Sequence, residues 1–319
     1  MNKFLFVVLL AFVAACDISE QEMFNNFKLF TRKYHKKYSS LQEYLARFRI
    51  FKKNFVAVSR MNRASYGVTK FFDMTKNEFR RKYLNLDISV LNTIKFGRPE
   101  VQRVDAPEAY DWREQGAVNA VKDQGSCGSC WAFSAVGNLE GLYYLKNKES
   151  MTFSEQQLVD CDNLDSGCNG GLMEYTFQWI QSNGGLMSDK DYPYKGYRQS
   201  CKQDESKYKI QVKGYNLLTT QNEDEILEFL YTTGPLSIAL NADTLQYYYG
   251  GIDDPDEYEC DPDGLNHGVT LIGWGVEDGV KYWIGKNSWG KSWGESGYFR
   301  MSRGKGTCGI NTYVITALI

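Results

Sequence analysis

Cys127-Gly128-Ser129-Cys130-Trp131 stands at the head of a run, residues 131–147, in which Ala132, Val136, Leu139 and Tyr143 fall along one helical face. The second cysteine is therefore expected at a helix N-terminus, where the partial positive charge of the backbone favours a thiolate. Two cysteines at this spacing suit an activated nucleophile, a redox pair or half of a zinc site. The zinc reading fits poorly, because no second pair at similar spacing exists and neither histidine of the chain lies nearby.

A thiolate nucleophile needs a base. The two histidines are His35, in a basic N-terminal part, and His267, in an acidic part. A lone histidine is more often structural, but the surroundings of His267 favour catalysis. Asn266, His267 and Gly268 lead into an expected strand, residues 269–274, and a turn at Asp278-Gly279 returns the chain through a second strand, residues 281–286, to Asn287. Such a hairpin brings Asn287 back beside His267, where an amide can orient the ring.

Around this centre, the composition is that of an ordinary globular chain. Its 319 residues, 43% apolar and 24% charged, leave room for two domains. Helical periodicity dominates early: Phe24, Phe27 and Phe30 mark a short helix, and Leu41, Tyr44, Phe48, Phe51, Phe55 and Val58 mark a long one. Strands follow later, up to residues 298–301, so the fold class expected is α+β in two lobes. Residues 85–105, with Gly97 and Pro99 and no periodicity, read as an exposed linker where cleavage would fall.

Lys3 and the apolar run 4–15 read as a secretory signal peptide, residues 1–16, although Val13-Ala14-Ala15-Cys16 also fits a bacterial lipoprotein signal. No later run is long enough to cross a membrane. With Cys16 removed, seven of the eight cysteines remain, which leaves one thiol unpaired in an oxidising compartment. Residues 1–105 carry 20 basic against 9 acidic side chains and residues 106–319 carry 17 against 30, so the two parts should attract. The basic charges are spread among helical aromatics, which argues against nucleic-acid binding. The acidic stretch 253–263 lacks calcium-loop spacing and reads as a solvated loop, and Tyr247 to Tyr249 read as packing.

The run from Cys127 to Trp131, with the sequence Asn287-Ser288-Trp289-Gly290, resembles the papain family of cysteine proteases. Glu43, Arg47, Phe51, Asn54, Val58 and Asn62 follow the family's propeptide spacing, and Gly67, Phe71 and Asp73 a second motif in which Thr69 replaces the usual asparagine. The resemblance implies a papain-like fold, a helical lobe meeting a β-barrel-like lobe (residues 106–319), preceded by a helical inhibitory propeptide (17–105). It implies Cys130 as nucleophile, His267 as base, Asn287 as the ring's partner under the shield of Trp289, and Gln124 as oxyanion donor. It pairs Cys127 with Cys168, Cys161 with Cys201 and Cys260 with Cys308, and it requires no cofactor or metal. Gly170, Gly171, Leu172, Met173, Ala239, Leu265, Tyr313 and Trp289 become the substrate-binding residues. The pocket for the second residue before the cut would be apolar, with Tyr313 making it shallow.

The implied protein is a monomeric endopeptidase, since no spare histidine exists for an exopeptidase loop, made as a secreted or endolysosomal (vacuolar) zymogen. The C-terminal Cys308-Gly309-Ile310-Asn311-Thr312 looks most like cathepsin F. Partners implied are protein or peptide substrates, its own propeptide as inhibitor and cystatin-type inhibitors, with no membrane after signal removal. Two rivals remain: an inactive papain-like binding protein and a thiol–disulfide oxidoreductase.

Overall fold

The structure, a computed structural model, describes residues 18–86, 88, 99, 101–218 and 220–319. The expected signal peptide and most of the expected linker lie outside the described residues. Helices α1 (Glu20–Lys33), α2 (Leu41–Met61) and α3 (Lys76–Tyr83) form the N-terminal unit. Helix α2 starts where the Ser40 side chain accepts the Glu43 N–H, and ends at Asn62 in the left-handed region. Its inner face buries Phe48, Phe51 and Val58 against Phe27 and Phe30 of α1. Leu41 is 74% exposed, so the apolar stripe begins one turn later than its periodicity suggests. The motif spacing has a physical reason. Arg47 donates to Glu78 (2.9 Å) and to the Asp73 carbonyl, and buried Asn54 donates to the carbonyls of Phe72 and Met74, so one face of α2 fixes the loop leading into α3.

The remainder runs β1 (Tyr110–Asp111), α4 (Cys130–Asn147), α5 (Glu155–Cys161), α6 (Met173–Asn183), β2 (Leu186–Met187), β3 (Tyr208–Ile210), β4 (Gly214–Leu218), α7 (Glu223–Thr233), β5 (Leu236–Leu240), β6 (Ile252–Asp253), β7 (His267–Glu277), β8 (Val280–Lys286), β9 (Tyr298–Ser302) and β10 (Tyr313–Leu318). Among the described residues a sheet in the order β4-β10-β5-β7-β8-β9-β6 carries β1 on β7. Side chains alternate across it. Ala239, Tyr313, Ile315 and Ala317 pack on one side with α4 and α6, while Leu236, Ile238, Leu240 and Val314 pack on the other with α7. The two lobes thus share one sheet, and α4 lies at their junction.

Two expectations need correcting. Asp253 belongs to β6, pairs with β9 and is fully buried, so the acidic stretch is not solvated throughout. Tyr247 and Tyr248 are packing residues, but Tyr249 is 54% exposed.

Candidate active site

Cys130 is the first residue of α4, and no side chain caps that helix. Ser129, Ala132 and Phe133 donate their N–H groups to the Cys127 and Ser129 carbonyls, which leaves those of Cys130 and Trp131 at the helix start. The Cys130 sulfur faces the backbone N–H groups of Gly268, Asn85, Trp131 and Cys130 itself, each of which favours a thiolate. Burial is the larger influence and pushes the thiol up. Gly268 is close: a Cβ there would come 3.3 Å from the Cys130 carbonyl.

His267 opens β7, and the β7–β8 hairpin returns Asn287 to its side, with Thr270 opposite Lys286. His267 Nε2 lies 2.8 Å from Asn287 Oδ1, which also accepts the Ser288 N–H at 2.8 Å. The atom facing the ring is therefore the amide oxygen, and Nε2 carries the hydrogen. Nδ1 has no partner among the described residues. Burial drags the ring down to about 4, although Asn287 and the Tyr83 carbonyl favour its charged form. The helix N-terminus suggests a thiolate at Cys130; with residues 83–86 over the cleft, burial holds both Cys130 and His267 neutral.

Ser288 Oγ donates to Gln124 Oε1 at 2.6 Å, which turns Nε2 toward the carbonyls of Cys127 (3.0 Å) and Tyr83 (3.5 Å). The Tyr194 hydroxyl donates to the Gln124 carbonyl at 2.8 Å. Neither Ser288 nor Tyr194 is singled out by sequence reasoning. Ser288 has a signal in its position directly after Asn287; Tyr194, distant in sequence, has none.

The expected substrate residues divide into two groups. Gly170 has a φ of +126°, and a Cβ on it would come 2.5 Å from the Asn85 carbonyl. Gly171 donates its N–H to that carbonyl (3.3 Å) and pairs in parallel with Leu86, whose own N–H donates to Asn266 (3.1 Å). Leu172, Met173, Ala239, Leu265 and Tyr313 form one buried cluster with Leu86. Tyr313 is 2% exposed, and its hydroxyl accepts the Glu174 N–H, so it points inward. Trp289 stands apart, 4.7 Å from the His267 ring, with Phe71, Phe79 and Tyr83 edge-on against it. The expected linker therefore begins too early, because Asn85 and Leu86 are threaded through the cleft.

Among the described residues three disulfides join Cys127 to Cys168, Cys161 to Cys201 and Cys260 to Cys308, leaving Cys130 free. With Cys127 bonded elsewhere, it cannot form a redox couple with Cys130.

Residues 106–318 match the model of the papain family cysteine proteases, and residues 27–79 match the cathepsin propeptide inhibitor domain. The chain belongs to the papain family. This papain-family chain is 42% identical over 324 residues to cysteine proteinase 15A of Pisum sativum, covering 94% of this chain and 88% of that one. It is 40% identical over 306 residues to cathepsin F of Drosophila melanogaster, covering 92% of this chain and 50% of the other. The structure of digestive procathepsin L 3 from Tenebrio molitor larval midgut superimposes with a TM-score of 0.84 at 34% identity, covering 93% of this chain and 99% of that one. The protein is a papain-family cysteine protease zymogen with its inhibitory propeptide in place.

Proposed function

We propose that the mature enzyme, beginning near Ala106, is a secreted or endolysosomal endopeptidase in which Cys130 attacks and His267 shuttles the proton. The carrying observation is the His267–Asn287 contact of 2.8 Å beside a free cysteine at a helix start, all in one cleft. In the first step the thiol proton passes to His267 and sulfur bonds to the peptide carbonyl carbon. The oxyanion is held by the Gln124 amide and the Cys130 N–H. The C–N bond then breaks as His267 protonates the leaving amine, giving a thioester. Water attacks it, returns a proton through His267 and releases the acid and the free thiol. Asn287 keeps the ring aimed, and Trp289 keeps water from that hydrogen bond.

The pocket of Leu172, Met173, Ala239, Leu265 and Tyr313 takes the second residue before the cut, a role supported by Leu86 packing in the same cluster. None of these side chains is charged. Burying a Leu there gains roughly 1.5–3 kcal/mol, whereas an Arg would lose its hydration without a partner. The inhibitor's direction fits this assignment. A substrate runs from that pocket across Cys130 toward Trp289, while residues 79–86 run from Trp289 across Cys130 into the pocket. Laid in reverse, the propeptide covers the nucleophile without offering it a productive bond.

Three disulfides support an oxidising destination. The test is Cys130→Ser, which should fold and be secreted but lose proteolysis and labelling by a papain-directed epoxide; retained proteolysis would reject the assignment. Peptides with Leu, Phe or Arg at the pocket position should rank Leu first and Arg last. Tyr313→Ala should recover Phe, and an unchanged ratio would remove Tyr313 from the pocket floor.

A further inference from the structure

Beneath the wall that holds Leu86 lies a pair of buried carboxyl groups that the hydrolytic mechanism does not use. Asp162 is fully buried and Asp165 is 7% exposed. Asp162 Oδ1 accepts the N–H groups of Leu164 (2.8 Å) and Asp165 (3.2 Å). Asp165 Oδ1 accepts the Leu172 N–H at 2.8 Å, and Oδ2 accepts the Thr176 hydroxyl at 3.2 Å. Asp162 Oδ2 is buried and has no partner among N–H and O–H groups of the described residues. Two carboxyls buried in one loop, one of them with an oxygen left unpartnered, favour holding a proton between them over carrying two charges.

Their position ties them to substrate. Consecutive amides of the wall point in opposite directions: the Gly171 N–H reaches outward to the Asn85 carbonyl in the cleft, and the Leu172 N–H reaches inward to Asp165. The carboxyl lies directly under Gly171, where a Cβ would come 2.6 Å from Asp165 Oδ1 and 2.7 Å from the Trp131 ring. Whatever moves Asp165 moves the peptide plane that a bound chain pairs with.

We infer that Asp165, held by a proton shared with Asp162, is a positioning residue for the peptide-binding wall, and that peptide affinity falls when the pair loses that proton. Burial, then the charge of Asp162, push Asp165 above the usual carboxylate range, and burial pushes Asp162 up as well. The charged and titratable neighbours do not cancel this. Arg198 acts on Asp162 and opposes its rise, Tyr313 is a neutral phenol whose hydroxyl is engaged by the Glu174 N–H, and the Asp160 oxygens are occupied by Gln156, Tyr192 and the Gln199 N–H. Once both carboxyls are charged, their repulsion acts on the anchor of Leu172.

The inference rests on the peptidase reading of the cleft. The test measures kcat and KM separately against pH on enzyme matured from the full chain. Wild-type KM should rise about fivefold between about pH 6 and pH 9, while kcat follows the catalytic pair. Asp165→Asn keeps the acceptor for Leu172 and replaces the shared proton with an amide hydrogen, so its KM should stay flat over that range. Asp165→Ala should raise KM about tenfold at every pH through the lost anchor. Should Asp165→Asn fail to mature, Asp162→Asn gives the same comparison. Superimposable KM profiles for wild type and the Asn variant would overturn the inference; a wild type that cleaves no peptide would instead overturn the peptidase reading.

Discussion

Residues 66–79 and residues 83–86 of the propeptide both lie on the peptidase, but they hold it by different chemistry. The first stretch uses rings: Phe71 and Phe79 stand edge-on to Trp289, and Tyr66 and Phe72 pack on Tyr247. The second uses mostly backbone, with Asn85 and Leu86 bonded to Gly171 and Asn266. Rings buried on rings supply affinity that does not depend on protonation. Backbone threaded over Cys130 supplies little area but covers the cleft and buries Cys130 with His267. Affinity and inhibition are thus carried by separate stretches joined by one short helix, α3.

The largest test of that division is Phe71→Ala. Phe71 is 1% exposed, so truncation should cost about 3–5 kcal/mol of docking, read as premature activity of the full chain. An effect no greater than that of truncating Leu86 would break the comparison.

The next effect is acid. His267 is held neutral, down at about 4 against an ordinary 6.5, so its contribution to docking is fully present above about 6.5 and is lost as pH falls toward 4. Burial raises Asp253 to about 7 against Ser65, which gives the opposite sign: its contribution is present below the ordinary carboxylate range and is lost as pH rises through 7. Propeptide release from the Cys130→Ser chain should therefore accelerate between about pH 6.5 and 4, and adding His267→Asn should flatten that limb. Asp253→Asn should tighten docking at neutral pH. A limb unchanged without His267 would place the acid response in the ring-bearing stretch after all.

Leu86→Ala should cost about 2 kcal/mol, seen as faster slow-onset activity without loss of folding. The smallest effect belongs to the ion pairs across the interface, Arg63 with Glu259, Lys70 with Asp123 and Arg80 with Asp243. Arg80 is half exposed, so Arg80→Ala should change docking by less than about 1 kcal/mol, and less again in high salt.

Much of this was legible in the sequence because the signals were local. The spacing from Arg47 to Asn54 reflects one helical face gripping one loop, and the turn at Asp278-Gly279 brings Asn287 to His267. The overall charge imbalance was also legible, but it pointed to electrostatics, whereas the interface is built mainly on rings around Trp289. What could not be read was set by tertiary burial. The neutral state of Cys130 and His267 is set by their burial, against the local pull of Asn85 and Tyr83, and nothing in the aperiodic stretch after α3 distinguishes a threaded segment from a free linker. Asp253 looks like a surface acid in sequence, and only packing raises it to about 7.

The aromatic core of α1 and α2 draws on a single peptidase side chain, Tyr247; the rest of it, from Met23 to Phe72, is the propeptide's own. A unit with its own core should stay folded if the chain is cut between it and the peptidase. Before the cut, tethering gives the inhibitor an effective concentration on the order of millimolar. Afterwards the same contacts must compete with dilution, so the onset of activity becomes a function of how concentrated the compartment is. Crowded storage would keep the cut enzyme silent, and discharge into a larger volume would be enough to wake it.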